Sequence, residues 1–159
     1  MLVLTLTADL SGVTNLRPDD TEDNPFYYML KVQCTSCREV HEKTVGISRF
    51  DEREMSNSRG ESNFVWKCKN CSRESSAMIR AAPKPYTQCS PPKKQNILEF
   101  ECRGCEFKEF SAEGNWLAEG LESGTKFSEI DLTDEWFEYD EKAGEEVTIK
   151  DIKWEIRRG

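Results

Sequence analysis

Residues 2–7 alternate Leu with Val or Thr, so Leu2, Leu4 and Leu6 fall on one face of an extended segment, and this period of two predicts a strand. Phe26, Tyr28, Leu30 and Val32 repeat the period and run directly into Cys34, while Asn63-Phe64-Val65-Trp66-Lys67 does the same ahead of Cys68. Further strands are predicted after each of these cysteines, around 39–47 and 75–80. Late in the chain Val147 and Ile149 are followed by Ile152, Trp154 and Ile156, with a slip of the apolar phase at Lys150-Asp151. A bulge, or a break between two strands, accounts for such a slip. Helical periodicity is weak, its best candidate a short turn near 115–120. The pattern predicts a mainly β fold.

Polar, proline-bounded residues 17–25 and the polar stretch 51–62 read as surface loops. Residues 81–96 carry four of the six prolines (Pro83, Pro85, Pro91, Pro92) and predict an extended connection. The chain then divides into a first β-rich half at 1–82, the connection at 83–96 and a second β-rich half at 97–159, packed as one compact, sandwich-like unit. The second half opens on residues 96–105, which repeat the strand-then-cysteine layout of 26–37, and Gly144 to Ile149 is similar to Gly60 to Val65. A duplication of two related halves is the expectation. The C-x-x-C motifs start at 34, 68 and 102, an even step of 34 residues, but the surrounding residues match best between first and third, so no three-repeat solenoid is read from the spacing.

Composition narrows the function classes. The 159 residues are 36% hydrophobic and 10% aromatic, enough for a modest core. Lys and Arg number 22 against 30 Asp and Glu, a net charge of −8 that disfavours nucleic acid and anionic membranes as partners. The longest apolar run, Phe26 to Leu30, is far short of the roughly 20 residues of a membrane span. The first nine residues lack a basic segment and meet Asp9 before a signal-peptide core can form, so secretion is not expected. The expectation is a monomeric cytoplasmic protein, with the nucleus as a second location and its thiols reduced.

Reduced thiols are available for metal. Cys34-Thr35-Ser36-Cys37 and Cys68-Lys69-Asn70-Cys71 each offer two soft thiolates on a tight turn, and two such knuckles complete a closed tetrahedral zinc shell. Cys34, Cys37, Cys68 and Cys71 are therefore the predicted ligands of one Zn2+ per chain, although the 30 intervening residues demand a long loop or extra strands. Iron would suit the same donor set. A four-cysteine site leaves no open position for water, so its predicted role is structural rather than hydrolytic. Arg38, Lys67, Lys69 and Arg73 flank the knuckles and could offset the thiolate charge, but as surface residues they are expected to be ordinary solvated side chains.

The block Ser58-Arg59-Gly60-Glu61-Ser62-Asn63-Phe64-Val65-Trp66-Lys67-Cys68-Lys69-Asn70-Cys71-Ser72-Arg73 resembles the signature of the eukaryotic CXXC motif-containing zinc-binding proteins. Residues 118–127, with 131–136 and 139–143, are similar to that family's carboxy-terminal half. The resemblance spans nearly the whole chain. It implies a small β-rich protein of two related halves, with one zinc on the matching Cys34, Cys37, Cys68 and Cys71. It assigns no biochemical role, and it supplies no second metal site at Cys105.

The remaining candidates are weaker. Cys102 and Cys105 could form a redox dithiol or capture a soft metal with Cys89 as a third sulfur, but no βαβ unit surrounds them and free thiols are expected. His41, the single histidine, is expected to be a partly exposed strand residue rather than a ligand. No Ser/His/Asp set, P-loop or dinucleotide fingerprint is present, so no enzyme activity is expected. Residues 131–146 hold eight carboxylates against one lysine around Trp136, Phe137 and Tyr139. That tract reads first as a solvated face and second as a docking surface for a basic protein partner. Three functions follow: a zinc-stabilised, non-enzymatic binding or adaptor module, a metal-handling protein that passes on zinc or a softer metal, and a thiol–disulfide protein using Cys102 and Cys105.

Overall fold

The period-two segments assemble around β1 (Leu2–Ser11), which lies antiparallel between β14 (Glu145–Arg158) and β9 (Gln95–Arg103) in the computed structural model, where residues 1–55 and 60–159 are described. This sheet continues to β13 (Trp136–Asp140) beyond β14, and to β8 (Glu74–Ile79) and β7 (Phe64–Lys67) beyond β9. A second sheet holds β3 (Tyr28–Cys34) between β10 (Cys105–Ser111) and β4 (Val45–Ile47), and a third holds β11 (Trp116–Gly120) between β12 (Lys126–Ile130) and β2 (Val13–Pro18). A short ribbon pairs β5 (Arg53–Glu54) with β6 (Glu61–Ser62). No helix occurs among the described residues. Ser58 and Arg59 of the quoted sequence block, and the middle of the 51–62 segment, lie outside the described residues.

Most period-two expectations are met, and the departures have physical causes. In β1 the alternation suggests one buried face, yet Val3 and Thr5 are buried along with Leu2, Leu4 and Leu6, because β1 is central and covered on both sides. The slip at Lys150-Asp151 is a bulge inside one continuous strand: Thr7 pairs with Lys153 and Asp9 with Lys150, so Ala8 faces two residues, and Asp151 takes φ 53°. The strand expected at 39–47 shrinks to the bridge Gln33↔Val40 and to β4, with polar residues 41–44 between them. Residues 116–120 form β11 rather than a helical turn, because Trp116 and Ala118 point into the core between two neighbouring strands.

Strands from the two ends of the chain interleave, with β1 between β9 and β14, and β3 between β10 and β4. The core is correspondingly continuous, from Leu4, Leu6 and Phe100 through Tyr28 and Leu30 to Trp116 and Ile149. Tyr86 draws the proline-rich connection into this core, where it is fully buried. Its hydroxyl accepts from the Ala8 amide at 3.1 Å and lies 2.8 Å from the Lys93 carbonyl.

A polar clip fixes the start of β3. Asp20, its side chain fully buried, accepts from the Tyr28 hydroxyl at 2.7 Å, the Phe26 amide at 3.1 Å and Arg49 Nε at 2.9 Å. Burial, reinforced by the bond to Asp20, drives the Tyr28 hydroxyl far above the ordinary tyrosine range, so it remains a donor. The clip sets the depth of β3 and hence where that strand delivers Cys34.

Candidate metal centre

β3 and β7 each end at a C-x-x-C motif, and both motifs fold into the same turn. In the first, the Arg38 amide donates to the Cys34 carbonyl at 3.0 Å and the Cys34 amide to the Glu39 carbonyl at 3.0 Å. In the second, the Ser72 amide donates to Cys68 and the Cys68 amide to Arg73, each at 2.9 Å. The residue after each second cysteine enters the left-handed region, Arg38 at φ 68° and Ser72 at φ 65°. Neither is a glycine, so each knuckle carries a cost of roughly 1–2 kcal/mol that another interaction must offset. A metal bound by the four sulfurs would supply such an interaction.

The two turns face each other. Cys34 and Cys71 sulfurs are 3.6 Å apart, as are those of Cys37 and Cys68, and all four lie within 4.8 Å of one another. A tetrahedron with metal–sulfur bonds of about 2.3 Å has sulfur–sulfur edges of about 3.8 Å, so the tetrad has the size of a zinc or iron four-thiolate site. Cys34 and Cys68, the first of each pair, are buried, while Cys37 and Cys71 are half-buried. Among the described residues this is the one cluster of three or more metal-binding side chains.

Donors around the tetrad favour the ionised thiols. The Asn70 side chain and then the Glu39 amide bond to Cys37, lowering its pKa to about 6. At Cys71 the Arg73 amide pulls the same way, but burial and the sulfurs of Cys34, Cys37 and Cys68 outweigh it and raise the pKa to about 11. Four sulfurs this close cannot all ionise without a cation between them, and a divalent metal supplies that charge. Asn70 sits on the second knuckle and serves a sulfur of the first. That link was not apparent in the sequence, although an amide two residues after Cys68 was its available signal. The flanking Arg38, Lys67, Lys69 and Arg73 are exposed.

The other candidates lie outside the tetrad. His41 is half-buried with its ring edge-on to Trp66, centroids 5.8 Å apart, and with Glu39, Lys69 and Asn70 it lines a cavity of about 320 Å³ beside the second knuckle. Cys89 is half-buried in the proline-rich connection. Cys102 and Cys105 flank the corner where the chain leaves β9 for β10, and Cys105 stands opposite Cys34 in the β10–β3 register. In the acidic tract seven of the eight carboxylates are exposed, and Asp140 is buried under hydroxyls of Ser123 and Thr125. Phe137 and Tyr139 are 54% and 55% exposed on the same face of β13, an edge strand.

Comparison with known proteins agrees with this geometry. The model of the family described as CXXC motif containing zinc binding protein, eukaryotic, matches residues 3–157. A UPF0587 protein of Schizosaccharomyces pombe is 46% identical over 155 residues, covering 98% of this chain and 96% of that protein. The human CXXC motif containing zinc binding protein is 40% identical over 153 residues, covering 95% and 94%. The crystal structure of C1orf123 superimposes with a TM-score of 0.90 at 38% identity over 99% of both chains. A hypothetical protein from Plasmodium falciparum, 22% identical and covering 98% of both chains, shares the fold with a TM-score of 0.86. With two knuckles converging on a four-sulfur tetrad and a match from end to end, the chain belongs to the eukaryotic CXXC motif containing zinc binding protein family.

Proposed function

We propose that this protein is a non-enzymatic adaptor whose tetrad holds one structural zinc and whose acidic aromatic edge docks a basic protein partner. The closed four-sulfur tetrad carries the proposal, because a metal with four thiolates has no position left to activate water. The docking surface is the outer face of β13, where Phe137 and Tyr139 offer apolar area beside Glu146, the register partner of Tyr139, and the exposed Glu141 of the following turn. Zinc holds the opposite end of the six-stranded sheet, where β7 ends at Cys68.

The double substitution Phe137→Ala, Tyr139→Ala tests the docking face. It should leave metal content and thermal stability unchanged, since both rings are exposed, while weakening cross-linking to a lysine-rich peptide probe at low salt. Equal cross-linking by the two proteins would remove this surface from the account.

A second reading, metal handling, draws on the half-exposure of Cys37 and Cys71. A metal donor would yield zinc to a mild chelator while its far-UV spectrum persists. A structural site would lose zinc and fold together.

A further inference from the structure

The third C-x-x-C motif is left unused by the tetrad, yet its two sulfurs are placed as a pair. Gly104, at φ 82°, turns the chain out of the six-stranded sheet and into the second sheet, and sets Cys102 and Cys105 on the two sides of one corner, near enough that each thiol is the first influence on the other's ionisation. Both flanks are fixed: Cys102 is registered with Ala77 of β8, and Cys105 with Cys34 of β3. The Thr35 amide donates to the Gly104 carbonyl at 3.1 Å, and a Cβ at Gly104 would stand 3.1 Å from Ser75 Cβ. Cys105 is 2% exposed, with its thiol 3.7 Å from the Ser76 carbonyl, whereas Cys102 is half-buried. Two thiols of one C-x-x-C motif, held on either side of a fixed corner, can join with little backbone movement.

We infer that Cys102 and Cys105 form a reversible thiol–disulfide pair, oxidised by a low-molecular-weight disulfide such as oxidised glutathione and chemically separate from the metal tetrad. The accessible sulfur reacts first. Cys102 attacks one sulfur of the small disulfide, breaking its S–S bond, releasing one glutathione and leaving a mixed disulfide on Cys102. Cys105 then attacks the Cys102 sulfur, closes the internal disulfide and releases the second glutathione. Two electrons and two protons leave the protein thiols and appear on the two glutathione thiols. This inference is independent of the docking proposal.

The test uses the purified, metal-loaded full chain under exclusion of oxygen, equilibrated with graded ratios of reduced to oxidised glutathione. After alkylation, intact mass, disulfide mapping and zinc content are read together. The expected wild-type result is loss of two hydrogens, a disulfide mapped to Cys102 and Cys105, unchanged zinc, and full reversal by dithiothreitol. Cys105→Ser should stop at a glutathione adduct on Cys102, and Cys102→Ser should form neither product at this motif. Because Cys105 is buried, retained zinc serves as the folding control for its variant, and the half-exposed Cys102 supplies an independent check. Wild-type Cys102 and Cys105 that stay reduced across the series would overturn the inference. So would oxidation confined to Cys89, or to the tetrad with zinc lost.

Discussion

Cys68→Ala removes a sulfur that is 2% exposed and is the first ligand position of the second knuckle. With three thiolates left, the metal loses its closed shell and the cross-link between the knuckles fails. That cross-link joins Cys37 to Cys68 across a sequence separation of 31. Releasing a loop of about 30 residues restores roughly 3.6 kcal/mol of chain entropy to the unfolded state, by the relation used for covalent cross-links. The left-handed Arg38 and Ser72 then lose what offsets their strain, so this figure is a lower bound. For a domain of this size each kcal/mol moves the thermal midpoint by about 2–4 °C, and the expected fall is at least about 7–14 °C. The assay is far-UV thermal unfolding with zinc content measured on the same sample, with and without a strong chelator. Chelator should bring wild type down to the midpoint of the variant and leave the variant where it is. Cys102→Ala, outside the tetrad, should keep its zinc and the wild-type midpoint. A metal-free Cys68→Ala protein that melts with wild type would refute the structural role.

Asn70→Ala removes the donor that crosses from the second knuckle to Cys37, and zinc affinity measured by chelator competition should fall about 10–100-fold. Tyr28→Phe strips one donor from the buried Asp20 carboxylate and should cost about 1.5–3 kcal/mol in urea unfolding without changing zinc content. The Asp140 carboxyl is held below its ordinary range, first by Ser123 and then by Thr125, so its contribution is present above the unfolded value of about 3.9 and is lost as pH falls. Urea midpoints across the acid range should therefore decline less steeply for Asp140→Asn than for wild type.

Local pattern made the strands and the tetrad legible, because both depend on near neighbours in sequence. The period of two located β1, β3 and β7, and paired thiols with two residues between them marked both C-x-x-C turns. Long-range pairing was not legible. Nothing in residues 2–7 announces that both faces of β1 are buried, since this follows from core residues distant in sequence that pack over the sheet. Trp116 gives no sign by itself that its segment is a central strand rather than a turn, because β2 and β12 dictate the choice. The expected strand at 39–47 failed where the His41-Glu42-Lys43-Thr44 stretch gives a strand no apolar face. Asn70 serving Cys37 likewise depends on how two separate turns are aimed.

X-ray absorption at the metal edge, combined with elemental analysis of the purified native protein, reads the donor set of the tetrad itself. The expected result is one zinc per chain surrounded by a single shell of four sulfurs at about 2.3 Å. Substoichiometric metal, or a shell in which nitrogen or oxygen replaces a sulfur, would contradict a closed site built from Cys34, Cys37, Cys68 and Cys71.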